Sequence, residues 1–223
     1  KDAAAARALV LALSRAPASA DPVKAAALEA LAASLAAEVK PSTDDALVEA
    51  VKRLLASGRT AASTLPLLAR WDLAGRVGDA PRAAVEKAAS MMADTSLSDA
   101  VRGQMAVNLL GVRSLDPSII PSVARLLNAQ TGPALQKRVV DALGTVPDME
   151  AGRALLTTLP QLSFDLRETA FGQLLKRSDW STAVVQALAD RQLDPALLGP
   201  ANLHRLRTHP DRAVAERAGR VLD

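Results

Sequence analysis

Two histidines, a scatter of carboxylates and a set of arginines are the residues of this chain whose types could do chemistry. His204 and His209 are its only histidines. Their spacing of five is wrong for one helix face, and Pro210 separates them from the last helix. Asp211 is the one obvious further ligand, whereas zinc sites want three or four matched ligands. Both histidines are therefore expected as surface or capping residues. Asp44-Asp45, Asp148 with Glu150, and Glu168 could act as acid and base if burial shifted them. Yet Asp44, Asp45 and Asp148 stand where helices begin, where acids cap free N–H groups and offset the dipole. Capping is the reading adopted. There is no Cys, so disulfides, thiolate metal sites and covalent haem attachment lie outside the chain. No G-x-S-x-G, G-x-G-x-x-G or Walker-type run occurs. No catalytic, cofactor-binding or metal-ligating residue is nominated, and no cofactor is expected. The chain reads as a non-enzyme.

Charge offers the remaining functional signal. Lys and Arg number 27 against 24 Asp and Glu, a formal net charge of +3. So small an excess is no nucleic-acid footprint in itself. The C-terminal half nonetheless gathers Lys137, Arg138, Arg167, Lys176, Arg177, Arg205, Arg207, Arg212, Arg217 and Arg220. Aligned on a concave helical surface, such residues could grip phosphates. Acids are interleaved throughout, including Asp165, Glu168, Asp179, Asp190, Asp211 and Glu216. That favours a solvated mixed-charge face with some Arg in ladders between repeats. Arg167, Lys176, Arg177, Arg205 and Arg207 are kept as weak binding candidates, and nucleic-acid binding as the alternative function. Trp71 and Trp180 are the only tryptophans. Exposed, they would mark a partner hot spot; packing in the core is the expectation.

The elements that must position these residues read as helices. Apolar residues make up 49% of the chain but aromatics only 2%, with no Tyr. Ala, Leu and Val favour close helix packing and give little support to a sheet. Proline punctuates the chain. Asp21-Pro22, Asp116-Pro117 and Asp194-Pro195 pair an N-cap acid with a Pro at the first helical position, and Ala80-Pro81, Gly132-Pro133 and His209-Pro210 look like further helix starts. The spacing predicts helices over 2–15, 22–37, 44–57, 61–76, 80–93, 98–113, 116–129, 133–145, 148–160, 163–177, 179–191, 200–208 and 210–222. Gly75, Gly78 and Gly111 read as helix C-caps.

One stripe recurs along the chain: Val101, Met105, Leu109 and Val112 share a helix face. Val23, Ala27, Leu31 and Leu35 repeat the pattern, as do Leu135, Val139 and Leu143, then Leu166, Ala170 and Leu174, then Val214, Ala218 and Leu222. A basic residue follows the first anchor at Lys24, Arg102 and Arg167. Val101 to Leu135 is 34 positions, Leu135 to Leu166 is 31, and Val23 to Val101 is 78, about two repeats of 39. A period of that size built from two helices marks an α-solenoid. The expected architecture is all-α: a single domain over 1–223 of about six stacked antiparallel helix pairs. The interval from Leu166 to Val214 is 48, and its excess, near 192–202, reads as an inserted turn or short helix.

The opening Asp99-Ala100-Val101-Arg102 resembles the second helix of a HEAT repeat. Tetratricopeptide repeats fit less well, because their aromatic signature positions are missing; three-helix armadillo units stay open around 44–93. A narrower resemblance covers the C-terminal part: Leu174-Leu175-Lys176-Arg177-Ser178-Asp179-Trp180, then Val184-Val185-Gln186-Ala187-Leu188, then Leu203-His204-Arg205-Leu206 and His209-Pro210-Asp211 before the last helix. It resembles the helical segment of large secreted haem-binding, membrane-bound-dehydrogenase-like proteins of Planctomycetes and their relatives, as does Pro66 to Gly75. That resemblance implies a spacer between a sugar-dehydrogenase-like propeller and a cytochrome c domain, in a periplasmic or extracytoplasmic protein. This chain lacks the C-x-x-C-H motif, so no haem-binding residue carries over. With the general repeat resemblance alone, a cytoplasmic location stays open. The expected partners are a protein or flanking domains of the same chain.

The first twenty residues have a second reading. An apolar centre, Ala8 to Leu13, precedes Ala18-Ser19-Ala20, like the tail of a signal peptide. Arg7 and Arg15 interrupt that block, which fits a helix with a polar stripe better. The chain begins with Lys and is expected to be a piece of a longer protein. No run is long enough to span a bilayer.

Overall fold

The structure, a computed structural model, describes residues 2–36 and 38–223. Lys1, the first residue of the signal-like stretch, and Ala37, the last of the second expected helix, lie outside the described residues. The described residues are helical, with no strand. The helices are α1 (Ala3–Arg15), α2 (Asp21–Ser34), α3 (Asp45–Ala56), α4 (Gly58–Arg70), α5 (Ala80–Ala93), α6 (Asp99–Gly111), α7 (Ile119–Ala124), α8 (Pro133–Gly144), α9 (Met149–Thr158), α10 (Phe164–Leu174), α11 (Ser178–Ala189), α12 (Pro195–Arg207) and α13 (Arg212–Leu222).

Several helix starts follow the expected capping chemistry. Asp44, Asp148, Asp194 and Asp211 each accept a hydrogen bond from a backbone N–H in the first turn of the helix that follows. Such caps are worth about 1 kcal/mol each. Asp21 differs: it lies inside α2, and its carboxylate accepts from Lys24 Nζ at 2.8 Å and from the Ser57 hydroxyl. Of the expected glycine stops, Gly78 (φ 62°) takes the left-handed shape just after the 3₁₀ turn Ala74–Arg76, but the residues with positive φ just beyond α-helices are Asp72 (58°) after α4 and Arg191 (57°) after α11. There Leu73 N–H reaches back to Leu68 O, and Gln192 N–H to Ala187 O, the bonds of a Schellman stop. Gly111 is simply the last residue of α6, and Gly75 lies in a 3₁₀ turn.

Contacts divide the chain into two compact units, Lys1–Ile119 and Ile120–Asp223. In the first, α1 packs on α3 and α3 on α5, while α2 packs on α4 and α4 on α6. Helices thus alternate between two layers, and α3 with α4 and α5 with α6 also pack as neighbouring pairs. In the second unit α8 packs on α10, while α9 packs on α11 and α11 on α13. The core is aliphatic: Leu28, Leu47, Leu65, Leu68, Ala61 and Ala88 in the first unit, Val139, Leu143, Leu155, Ala170 and Val184 in the second. Fully burying one Leu or Val contributes about 1.5–3 kcal/mol.

Two of the expected anchors do not face the core. Val23 is 69% exposed and Val101 43%, while the residues beside them, Lys24 and Arg102, are buried. In α2 the buried face, Lys24 and Leu28, is rotated by one position from the expected stripe; in α6 Met105 and Leu109, with Val112 just beyond, stay buried as expected, and only the first anchor gives way to Arg102. Arg102 Nε donates to Met92 O at 2.9 Å and its Nη1 to Asp99 at 3.2 Å. The corresponding Gln136 donates to Asn128 O. Arg167 donates to Leu159 O at 3.2 Å and to Leu162 O at 3.0 Å. Each ties a second helix to the loop, or to the end of the helix, before it. The other three stripes hold as drawn, except that Leu222 is half-exposed.

The insertion near 192–202 is a kinked helix. α12 begins at Pro195 rather than 200, and Gly199 (φ 71°, ψ 165°) breaks its helical geometry ahead of Pro200. α7 is short, Ile119–Ala124, against the expected 116–129.

Candidate docking groove

α4 carries a run of small side chains, Gly58, Thr60, Ala61, Ala62, Ser63 and Thr64. A helix so clothed lets its neighbours approach closely and leaves little bulk above itself. At Gly58 an added Cβ would run into the Met91 side chain of α5, so α4 and α5 lie close there. Above α4 lies a groove of about 590 Å³. One wall is Pro22, Ala25, Ala26 and Glu29 of α2. The other is the turn Ser96-Leu97-Ser98 with Ala100, Val101, Gln104 and Met105 of α6. Arg59 and Ser63 of α4 line its base.

A polar chain crosses this groove. Gln104 Nε2 donates to Asn108 Oδ1 at 3.0 Å, and Asn108 Nδ2 donates to Glu29 Oε1 at 3.2 Å. Ser63 Oγ donates to the same oxygen at 2.9 Å. Glu29 and Asn108 are 79 positions apart, close to the 78 between Val23 and Val101. Asn108 reaches α2 from α6 because the helix between them is so slim. Glu29 is half-buried, and no cation forms an ion pair with it among the described residues. Arg59 is exposed and makes no hydrogen bond among the described residues; its charge helps hold the Asp21 carboxyl acidic, after the hydrogen bonds from Lys24 and Ser57. The sequence reading passes over Glu29, which sits unobtrusively between Leu28 and Leu31; the run of small residues in α4 is the signal that could have pointed to it.

The five basic candidates are each committed within the chain. Arg167 donates to Leu197 O at 3.4 Å besides the two carbonyls above. Lys176 donates to Gln173 at 2.6 Å. Arg177 pairs with Asp179 at 3.1 Å and lies over the Trp180 ring at 5.5 Å. Arg205 donates to Asn202 at 3.0 Å and stacks 5.6 Å from Phe171. Arg207 pairs with Asp223 at 2.8 Å and donates to Leu222 O at 2.7 Å.

His204 is exposed, but His209 is buried, against the expectation of a surface or cap residue. Its Nδ1 accepts from Asp211 N–H at 3.0 Å, so the neutral ring carries its proton on Nε2. Nε2 lies 3.1 Å from Ser181 Oγ and 3.3 Å from Leu175 O, and Ser181 Oγ donates to Leu174 O at 3.2 Å. The ring thereby pins the approach to α13 against α10 and α11. Glu168 accepts from Asn202 Nδ2 across one helix pair. Trp71 and Trp180 are both buried, at 2% and 0% exposure. Among the described residues no group of three or more His, Asp or Glu could hold a metal ion, and no helix is long and apolar enough to cross a membrane.

The chain matches no protein family, no curated protein and no solved structure.

Proposed function

We propose that this chain is a HEAT-like scaffold module that holds a protein partner or the flanking domains of its own chain. The observation that carries the reading is a ladder of side-chain bonds one repeat long. In the first unit Ser63 reaches Glu29, Arg70 reaches Ala32 O and Leu35 O, and Lys87 reaches Ala56 O, spans of 31 to 38 residues. In the second, Gln173 reaches Asp141 and Arg217 reaches Gln186, spans of 32 and 31. Arg70 and Lys87 thereby satisfy carbonyls at the ends of α2 and α3, groups a helix leaves open. Polar side chains used to join each helix pair to the next are those of a molecule that conserves its own shape. An α-solenoid works in this way, each repeat touching its neighbours.

The commitment of Arg167, Lys176, Arg177, Arg205 and Arg207 within the chain weighs against a phosphate grip, since each would have to exchange an internal acceptor for a phosphate. The placement as a spacer between a propeller and a cytochrome c domain, in an extracytoplasmic protein, rests on the sequence resemblance over the C-terminal part. The testing experiment is cross-linking and mass spectrometry of the intact native product through exposed lysines such as Lys40 and Lys137. Cross-links to another protein, or to flanking domains of the same chain, are the expected result. Cross-links confined to this segment, together with retention on DNA at low salt, would overturn the reading in favour of nucleic acid.

A further inference from the structure

We infer that the groove between α2 and α6 is a docking site for a peptide segment of a protein partner, and that Glu29 reads a lysine or arginine on that segment. The inference rests on the scaffold reading and adds the place and the chemistry of recognition.

Three observations converge on this occupant. Glu29 is a half-buried carboxylate with no ion-pair partner among the described residues. Its Oε1 takes both internal donors, Ser63 and Asn108, while no hydrogen bond or ion pair among the described residues occupies Oε2. A carboxylate fixed in this way has already lost its rotamer freedom, so a cation meeting it incurs less ordering cost. The walls around it include apolar side chains, Pro22, Ala25, Ala26 and Met105, and the lining holds one exposed branched residue, Val101. A free amine would leave those walls wet. A peptide that flanks its basic residue with Leu, Val or Ala covers them, and a charge pair ringed by apolar contacts is the usual form of a binding hot spot. Arg59, on α4 one turn before Ser63, adds polarity: it favours an acidic residue on that side of the bound segment.

The test uses the 223-residue chain and two fluorescent seven-residue peptides. One has a central arginine between leucine and alanine residues. Its twin carries citrulline there, which keeps the shape and removes the charge. Fluorescence anisotropy measures affinity, and amide chemical shifts locate the contact. The arginine peptide is expected to bind and to perturb amides of α2, α4 and α6. The citrulline twin, and separately Glu29→Gln protein, are expected to bind about tenfold more weakly. Val101→Ser, which removes apolar lining without adding charge, is expected to weaken binding as well. Equal binding of the two peptides, no binding of either, or shifts outside α2, α4 and α6 would overturn the inference. Should cross-linking of the intact product still find a partner in that event, the scaffold reading survives and only the groove assignment fails.

Discussion

Arg102 shows how a residue that looks like a surface cation becomes structural. Its side chain is 7% exposed, its Nε donates to Met92 O, and its charge meets Asp99. Arg102→Ala would leave the carbonyl at the end of α5 without its donor. The expected loss is about 1.5–3 kcal/mol, the range for a hydrogen bond to a charged group, measured by urea unfolding. Arg102→Lys should recover part of this at most, since an ammonium cannot hold the carbonyl and the carboxylate in the fork geometry of a guanidinium. Gly152 is a second such point. A Cβ there would lie 2.7 Å from the Trp180 ring, which is fully buried and cannot swing away. Gly152→Ala should therefore cost about 1–3 kcal/mol by overpacking, with Trp fluorescence reporting the disturbed ring. Neither residue could be weighed from the sequence alone. Arg102 was visible as a repeat feature, but the inward turn of its side chain depends on where Met92 O lies.

Helix ends decide much at the scale of elements. Thirteen helices were expected and thirteen α-helices are present among the described residues, because caps, prolines and apolar spacing act locally. The exceptions are instructive. α4 and α11 end on left-handed residues that are not glycine, Asp72 and Arg191. Arg191 is exposed, so nothing but its backbone shape is at stake. Arg191→Gly is expected to raise stability by about 0.5–1 kcal/mol, the left-handed penalty of an ordinary residue less the flexibility glycine adds to the unfolded chain. Thermal melting followed by circular dichroism checks it. In α12, Gly199 and Pro200 together impose a kink that helical spacing could not convey. Periodicity expects regular geometry and has no means of representing a single residue that leaves it.

Acid response belongs to the whole molecule. Several carboxyls are held below their ordinary range by hydrogen bonds and charges distributed over the chain. Asp21 is held by Lys24 and Ser57, Asp44 by Leu47 N–H and Arg7, and Asp116 by Ser118. Asp179 is held by Arg177, and Asp211 by Ser178 and Ala213 N–H. Each binds its proton more weakly when folded than when unfolded. The stability they contribute is complete above the unfolded carboxylate value of about 4 and is lost as pH falls through the lower folded values. Helicity at 222 nm should thus hold on acidification from neutral pH to about 5 and decline below about 4. A main decline near pH 6 would assign acid sensitivity to another group.

The helical class, the number of helices among the described residues and several of the caps were legible in the sequence, since each depends on contacts within a few residues. Tertiary structure alone decided which way Lys24 and Arg102 turn, leaving Val23 and Val101 in solvent. It alone buried His209 against Ser181 and brought Glu29 under Asn108 from 79 residues away. Those outcomes depend on how slim α4 is and on which backbone carbonyls lie within reach once the layers have packed.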